Sequence, residues 1–347
     1  MSHVSVILPT FNRLARLQQV LTALANQSYP LTDFEVLVIS DGSTDGTDDY
    51  LAQLTTPLRL MPVRQSNQGA AAARNHGLAL ASGRLILFID DDVVPAPELI
   101  AEHVQCHEQE GGRNAQLVVL GPMLTPADFM MAPWVRWEQE MLYKQYEAML
   151  AEQWQPTARQ FYTGNASVAR QHLLAVGGFD TAFRRAEDVE LAYRLAARGL
   201  HFRFNPQAIG YHYAERSFAA WLQTPYQYGR NDVIFTRDKG QPWLLPTIMA
   251  EFHGRHPGIK ILTKLCISRP QYQKVAQQML ADVAKLGARR GQGKLPQHAY
   301  SALFNLTYYQ GVTDELGGRQ KFLQLVEQAS PTHTQARGAI HLSEPIS

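Results

Sequence analysis

The first third of the chain alternates short apolar runs with amphipathic stretches. The runs VSVILPT, FEVLVIS, LRLMPVR, RLILFID and QLVVLG are each continuous enough to read as a strand covered on both faces. Between them Leu14, Leu17, Val20, Leu21 and Leu24 recur at helical spacing, and QGAAAARNHGLALASG reads as an alanine-rich helix. APELIAEHVQCHEQ predicts another helix, with Pro97 suited to its first turn. Strands alternating with helices predict an α/β domain around a mostly parallel sheet flanked by helices.

The pattern then changes. WVRWEQEMLYKQYEAMLAEQW predicts a long amphipathic helix whose rings pack as core. FYTGNASVARQHLLAVGGFD reads as a short strand, a helix and a Gly-Gly turn, AEDVELAYRLAARG as a helix with acids in its first turn, and LHFRFNPQAIGYHY as extended chain. Beyond about residue 215 the signals are helical, with prolines as punctuation. The expected organisation is a domain over 1–215, a mostly helical appendage over 216–330 and a flexible tail over 331–347.

Composition narrows the class. With 45% hydrophobic and 18% charged residues in 347, the chain is an ordinary globular protein able to build a core. A formal net charge of +1 gives no global attraction to nucleic acid, so no nucleic-acid partner is expected. Cys106 and Cys266, the two cysteines, suggest neither a disulfide framework nor a zinc site. The start MSHVSVILPTFNR lacks the pattern of an export signal and no stretch is apolar enough to span a membrane, so a cytoplasmic location is expected.

Candidate chemistry gathers at the strand ends, where open α/β sheets bind ligands. PTFNR, SDGSTDGT, RQSNQG and DDD follow successive strands and describe a pocket edged by Asp41, Arg64 and Asp90 to Asp92, with Thr10 and Phe11 at its mouth. Neither common phosphate-binding glycine loop is present, so a nucleotide must be held another way. Clustered carboxylates do this through Mg²⁺ or Mn²⁺. Three adjacent aspartates also repel one another unless a cation or solvent relieves them. A second acidic centre, AEDVEL, offers Asp188 as a general base if its helix start faces the cleft, while Glu187 reads as favourable charge at a helix start. His212, between two tyrosines, reads either as a packed residue or as a metal ligand.

The ordered set SVILPTFNR, VLVISDGSTDGT, NQGAAAARNHGLALASG, LILFIDDD, GNASVARQHLLAVGGFD and EDVELAYRLAARG resembles the family 2 glycosyltransferases, inverting enzymes of the GT-A fold, over roughly residues 4 to 215. The resemblance implies that Thr10 and Phe11 lie against nucleobase and ribose, where many relatives carry tyrosine at the position of Phe11. It implies that Asp41 reads uracil or thymine with Arg64 nearby, which favours a UDP-linked donor. Pro9, Arg13, Asn67, Gly69 and Arg74 fall on the same nucleotide side. Asp90 is implied on the ribose and Asp92 on the metal, with the register left open by Asp91. Asp188 is implied as catalytic base, His212 as a further metal ligand, and Gly164, Asn165 and Glu187 on the acceptor and sugar side.

The implied activity is metal-dependent, inverting transfer from a nucleotide sugar to a hydroxyl acceptor, in cell-surface glycan or glycoconjugate synthesis, with Mn²⁺ or Mg²⁺ as cofactor. A nucleotidyltransferase or a non-catalytic nucleotide-sugar binder are the competing readings. The absence of a QxxRW run points away from a processive synthase. Between Phe252 and Tyr300 nine Lys or Arg face one acid, Asp282. Two readings of that run stay open: a solvated basic face, or contact with a lipid-linked acceptor or the inner face of an anionic membrane.

Overall fold

The computed structural model describes residues 3–110, 116–289 and 294–329. In chain order the first elements are β1 (Val4–Thr10), α1 (Leu14–Ala25), β2 (Phe34–Asp41), α2 (Thr47–Gln53), β3 (Leu60–Gln65), α3 (Ala70–Leu80), β4 (Leu85–Ile89), β5 (Val93–Pro95) and α4 (Leu99–Gln109). There follow β6 (Leu117–Leu120), β7 (Met123–Leu124), α5 (Pro133–Leu150), β8 (Asn165–Ala169), α6 (Arg170–Ala175), α7 (Glu187–Ala197), β9 (His201–Phe204) and β10 (Gly210–His212). The rest is helical: α8 (Phe218–Asp238), α9 (Leu244–Gly254), α10 (Pro257–Cys266), α11 (Pro270–Arg289), α12 (Lys294–Leu316) and α13 (Arg319–Gln328).

The main sheet runs β3-β2-β1-β4-β8-β6-β9. Strands β3, β2, β1 and β4 are parallel, β8 is antiparallel to both β4 and β6, and β9 is parallel to β6. β1 and β2 are buried along their whole length, as unbroken apolar runs require. β3 departs from the expectation of burial on both faces. It is the sheet edge, and Met61 on it is exposed.

Connections lead outward in opposite directions from the neighbours β1 and β4, so the sheet has its switch point there and the carboxyl ends of both strands open on one crevice. That placement brings Thr10 beside the aspartate triplet. A second, three-stranded sheet, β5-β10-β7, was not foreseen: VVP pairs antiparallel with β10, setting His212 opposite Val93. Helix α4 accordingly starts at Leu99, later than the APELI run suggests.

The chain divides into two compact units, one of residues up to Met130 with Gln145–Ala214, the other of Met131–Lys144 with Glu215 onward. One boundary between the units falls at 214/215, and the first part of α5 belongs with the C-terminal unit, a long-range association that periodicity cannot reveal. The expected tail over 331–347 lies outside the described residues.

The C-terminal unit has its own core, in which Trp137, Trp221, Ala284, Ala299, Tyr300 and Leu303 are buried together. Helices α8 and α12 cross backbone to backbone: a Cβ on Gly311 would lie 2.0 Å from the Tyr226 carbonyl oxygen, and one on Gly229 2.1 Å from that of Tyr308. Gly311→Ala must therefore push the helices apart, and a loss of about 1–3 kcal/mol is expected from overpacking, read as a lower urea midpoint at unchanged slope.

Candidate functional site

The crevice is built by loops tied to one another. Asn12, with a left-handed φ of 53°, accepts from the Thr44 amide at 2.7 Å through Oδ1, while its own amide donates to Ser43 Oγ at 3.1 Å. Asp45 accepts from the Leu14 amide at 2.9 Å, so PTFNR and SDGSTDGT are held as one wall. Phe11 projects from that wall, 46% exposed, with a ring face available for stacking. Pro9, by contrast, is buried within β1 opposite Ile39 and presents no side chain to the crevice.

Asp41 is buried at the end of β2. Its Oδ1 accepts from the Gln65 side chain and the Gln68 amide, each at 2.8 Å, and its Oδ2 from the Gly69 amide at 2.8 Å. Gly69 precedes α3 at φ 93°, a conformation that glycine adopts without a steric penalty. Asn67 is exposed on the same turn. Arg64, expected beside Asp41, turns instead to Asp48 at 2.8 Å and is 73% exposed along its side chain. Its strand register sets Ser40, not Asp41, opposite it.

The three aspartates separate into three environments. Asp90 pairs with Arg74 at 2.7 Å. Asp91 is buried, and its Oδ2 accepts from the Thr10 hydroxyl at 2.7 Å. Burial pushes its carboxyl up to about 7, against the pull of the Arg13 guanidinium and the Thr10 hydroxyl. Asp92 pairs with Arg13 through one oxygen and lies 3.7 Å from His212 Nε2 through the other. Burial opposes its charge, but the His212 imidazole and the Arg13 guanidinium outweigh it and hold the carboxyl well below the usual range. Arg74 on Asp90, and Arg13 on Asp91 and Asp92, set cations against the triplet and offset part of the repulsion the sequence implies.

Arg74, on α3, is buried and reaches two carboxylates at once, Asp90 at 2.7 Å and Glu187 at 2.8 Å. Burial opposes its charge, yet the two partners raise its pKa above the ordinary arginine value. Glu187 is thus more than a helix-start charge. Through this bridge the first turn of α7 is brought to the triplet. Asp188 follows, half-buried, with its Oδ1 accepting from the Val189 amide at 2.8 Å. Burial first, and the adjacent Glu187 carboxylate second, push the Asp188 carboxyl up to about 7.

Gly164 lies beside Asp90: a Cβ there would sit 3.2 Å from Asp90 Oδ2 and 2.7 Å from Met123 Sδ. Asn165 does not line the crevice. It is buried, its Nδ2 donating to the Pro122 and Ala208 carbonyls at 3.0 and 2.7 Å and its Oδ1 facing His103 Nε2 at 2.9 Å. Burial holds His103 near 4 and His107 near 3, so both imidazoles are neutral at pH 7. With Nδ2 of Asn165 fixed as donor by two carbonyls, His103 Nε2 must donate and its Nδ1 accept from Ser167 Oγ, which in turn accepts from His107 Nε2. The His103–Ser167–His107 cluster has no sequence signature, since α4 and β8 are far apart in the chain. Asn165→Ala would strand two carbonyls and an imidazole N–H. A loss of at least about 3 kcal/mol is expected, measurable by urea unfolding.

Among the described residues no group of three or more His, Cys, Asp or Glu side chains gathers as a metal site. Asp92 and His212 nevertheless form an adjacent oxygen and nitrogen donor pair. Such a pair suits a divalent ion that completes its shell with water and phosphate oxygens.

Residues 5–175 match the model of glycosyl transferase family 2. Validoxylamine A glucosyltransferase of Streptomyces hygroscopicus subsp. jinggangensis (strain 5008) is 35% identical over 238 residues, covering 60% of this chain and 56% of that protein. Hyaluronan synthase of Pasteurella multocida is 31% identical over 245 residues, covering 60% of this chain and 24% of that protein. The chain thus spans about half the length, or less, of these relatives.

Among solved structures, mannosyltransferase PcManGT from Pyrobaculum calidifontis, in complex with GDP-Man and Mn²⁺, superposes with a TM-score of 0.57 at 22% identity, covering 87% of this chain and 85% of that one. S. aureus TarS 1–349 in complex with UDP-GlcNAc gives 0.55 at 21% identity, covering 92% of each chain. These likenesses establish the GT-A fold.

Proposed function

Because residues 5–175 belong to glycosyl transferase family 2, we propose that the crevice transfers a sugar from a nucleotide donor to a hydroxyl acceptor, inverting the anomeric carbon. The observation that carries the proposal is the Arg74 bridge, which sets the Asp188 carboxyl next to the triplet where a donor diphosphate would lie. Two acidic centres with different tasks are what an inverting displacement requires: one manages the leaving group, the other the incoming hydroxyl.

In this reading Phe11 stacks on the base, and Asp41 meets the N3 proton of uracil with the lone pair of Oδ2 beyond the Gly69 amide. Thr10 donates its hydroxyl to Asp91 and so fixes the strand end. Asp90 turns one oxygen to Arg74 and keeps the other beside Gly164, on the ribose and sugar side. Asp92 and His212 would hold Mn²⁺ or Mg²⁺, which when bound neutralises charge on the diphosphate. Asp188, titrating near neutrality, accepts the proton of the acceptor hydroxyl as it attacks from the face opposite the leaving group.

UDP-linked donors are favoured by Asp41. A role in cell-surface glycan or glycoconjugate synthesis, a lipid-linked acceptor, and work at the cytoplasmic face of the membrane through the basic 252–300 stretch complete the proposal. The test is incubation with UDP- and GDP-sugars and Mn²⁺ or Mg²⁺, with nucleoside diphosphate release as readout. Release from a UDP-sugar supports the reading. Release of sugar 1-phosphate, from attack at the phosphorus next to the nucleoside, would instead assign a nucleotidyltransferase, and metal-independent binding without turnover a non-catalytic binder.

A further inference from the structure

Helix α11 carries two apolar faces, and among the described residues only one is packed within the unit. Ala276 packs with Cys266 and Leu306, and Ala284 and Leu280 with the Trp137–Trp221 core. The other face presents Tyr272, Val275, Met279, Val283 and Leu286, spaced three and four apart so that they form one stripe, each between 38% and 63% exposed. Soluble surfaces scatter large apolar side chains singly and rarely align them over the length of a helix. Neighbouring α10 adds Ile261 and Leu265, one turn apart and 60% and 51% exposed.

The charge around the stripe is mostly positive, with Asp282 on α11, 3.9 Å from Lys285, as the acid of the stretch. Lys264, Lys274 and Lys285 are exposed on the same two helices, and the Arg269 guanidinium lies 5.7 Å from the centre of the Tyr272 ring where α10 gives way to α11. From Phe252 to Tyr300 the formal balance is nine cations against one acid, 9 − 1 = +8. A second copy of the chain laid on this face would oppose lysines to lysines, and a neutral apolar partner would leave them without counter-charge. A surface with an apolar interior and an anionic boundary satisfies both features.

We propose that the α10–α11 face docks in the plane of an anionic lipid bilayer, with the stripe sunk among the acyl chains near the headgroups and the lysines on the phosphates. No helix among the described residues is long and apolar enough to cross a membrane, so the contact is interfacial. The proposal gives the basic stretch invoked above a specific insertion surface, and it rests on that reading for its membrane partner but not on the transfer chemistry.

The experiment is co-sedimentation of the full chain with phosphatidylcholine vesicles, with and without phosphatidylglycerol, at low and high salt and without any donor sugar. Binding is expected only with phosphatidylglycerol and is expected to weaken with salt. Val275→Glu with Met279→Glu should reduce partitioning about tenfold or more, while the thermal midpoint and nucleoside diphosphate release on a soluble acceptor stay unchanged. Absence of vesicle binding by the wild-type chain, or equal binding by the variant, overturns the proposal. So does a wild-type dimer in solution that the double variant converts to monomer, which would give the face to a second copy. Because binding is read without donor, failure of the transferase reading leaves a separate mark.

Discussion

Asp188→Asn is expected to lower transfer by at least about 10²–10⁴-fold while leaving nucleotide affinity and its metal dependence unchanged. Asparagine keeps the size and the acceptor for the Val189 amide but cannot take a proton. The wild-type pH profile should rise to a plateau through about pH 7, where the carboxyl loses its proton. The stability signature runs the other way. Because the folded carboxyl binds its proton more tightly than the unfolded one, wild-type stability contributed by this group is full below about pH 4 and falls as pH rises towards 7. The neutral asparagine has no such loss. At pH 8 the variant should equal or exceed wild type, by on the order of 1–2 kcal/mol after discounting for solvent screening of a half-buried group. Stopped donor turnover in a protein of undiminished urea midpoint is the expected pair of results. A variant that retains full activity would remove Asp188 from the reaction, and one that loses activity together with stability would make it a structural residue.

The legible part of this site is the part written in short contiguous runs. Strand-end position follows from where an apolar run stops, so Asp41, Asp90 to Asp92 and the wall carrying Phe11 could be placed from sequence. What a side chain does there depends on partners distant in the chain. Asp41 and Gly69 are 28 residues apart, and Arg74 and Glu187 113 apart. Arg64 shows the same limit: an arginine next to a strand end reads as a site residue, but a one-residue register difference sends it to Asp48. Asn165 fails for the opposite reason. A polar residue in a GN turn looks accessible, while β8, inserted antiparallel between β4 and β6, carries it into the core, where two carbonyls need its amide. The membership of residues 131–144 in the C-terminal unit likewise rests on Trp137 meeting Trp221, a contact between segments each of which looks sufficient alone.

Arg74→Met should be among the most disruptive single changes in the N-terminal unit. It removes the cation shared by Asp90 and Glu187 and leaves two carboxylates, with Asp188 adjacent, without it. Breaking a fully buried ion pair by deleting one partner costs about 3–5 kcal/mol; here Glu187, 14% exposed, loses its compensation while Asp90, 37% exposed, is partly solvated, so a loss of about 2–3 kcal/mol is expected. Arg74 pulls the raised Asp188 carboxyl down, so without it that carboxyl holds its proton more tightly and the loss should grow as pH rises from 5 to about 8. Arg74→Lys separates charge from geometry. One ammonium can neutralise one carboxylate but cannot span both in the plane of a guanidinium fork, so stability should be partly restored while transfer stays depressed. The measurements are urea midpoints at the two pH values and single-turnover transfer rates for both variants. If the methionine variant unfolds at the wild-type midpoint, the bridge contributes nothing to holding the start of α7 against the triplet. If lysine restores both stability and rate, the charge of Arg74 suffices and its two-sided geometry does not matter. The expected split, stability recovered ahead of rate, would identify Arg74 as a positioning residue that sets the distance between the group managing the departing diphosphate and the group receiving the proton.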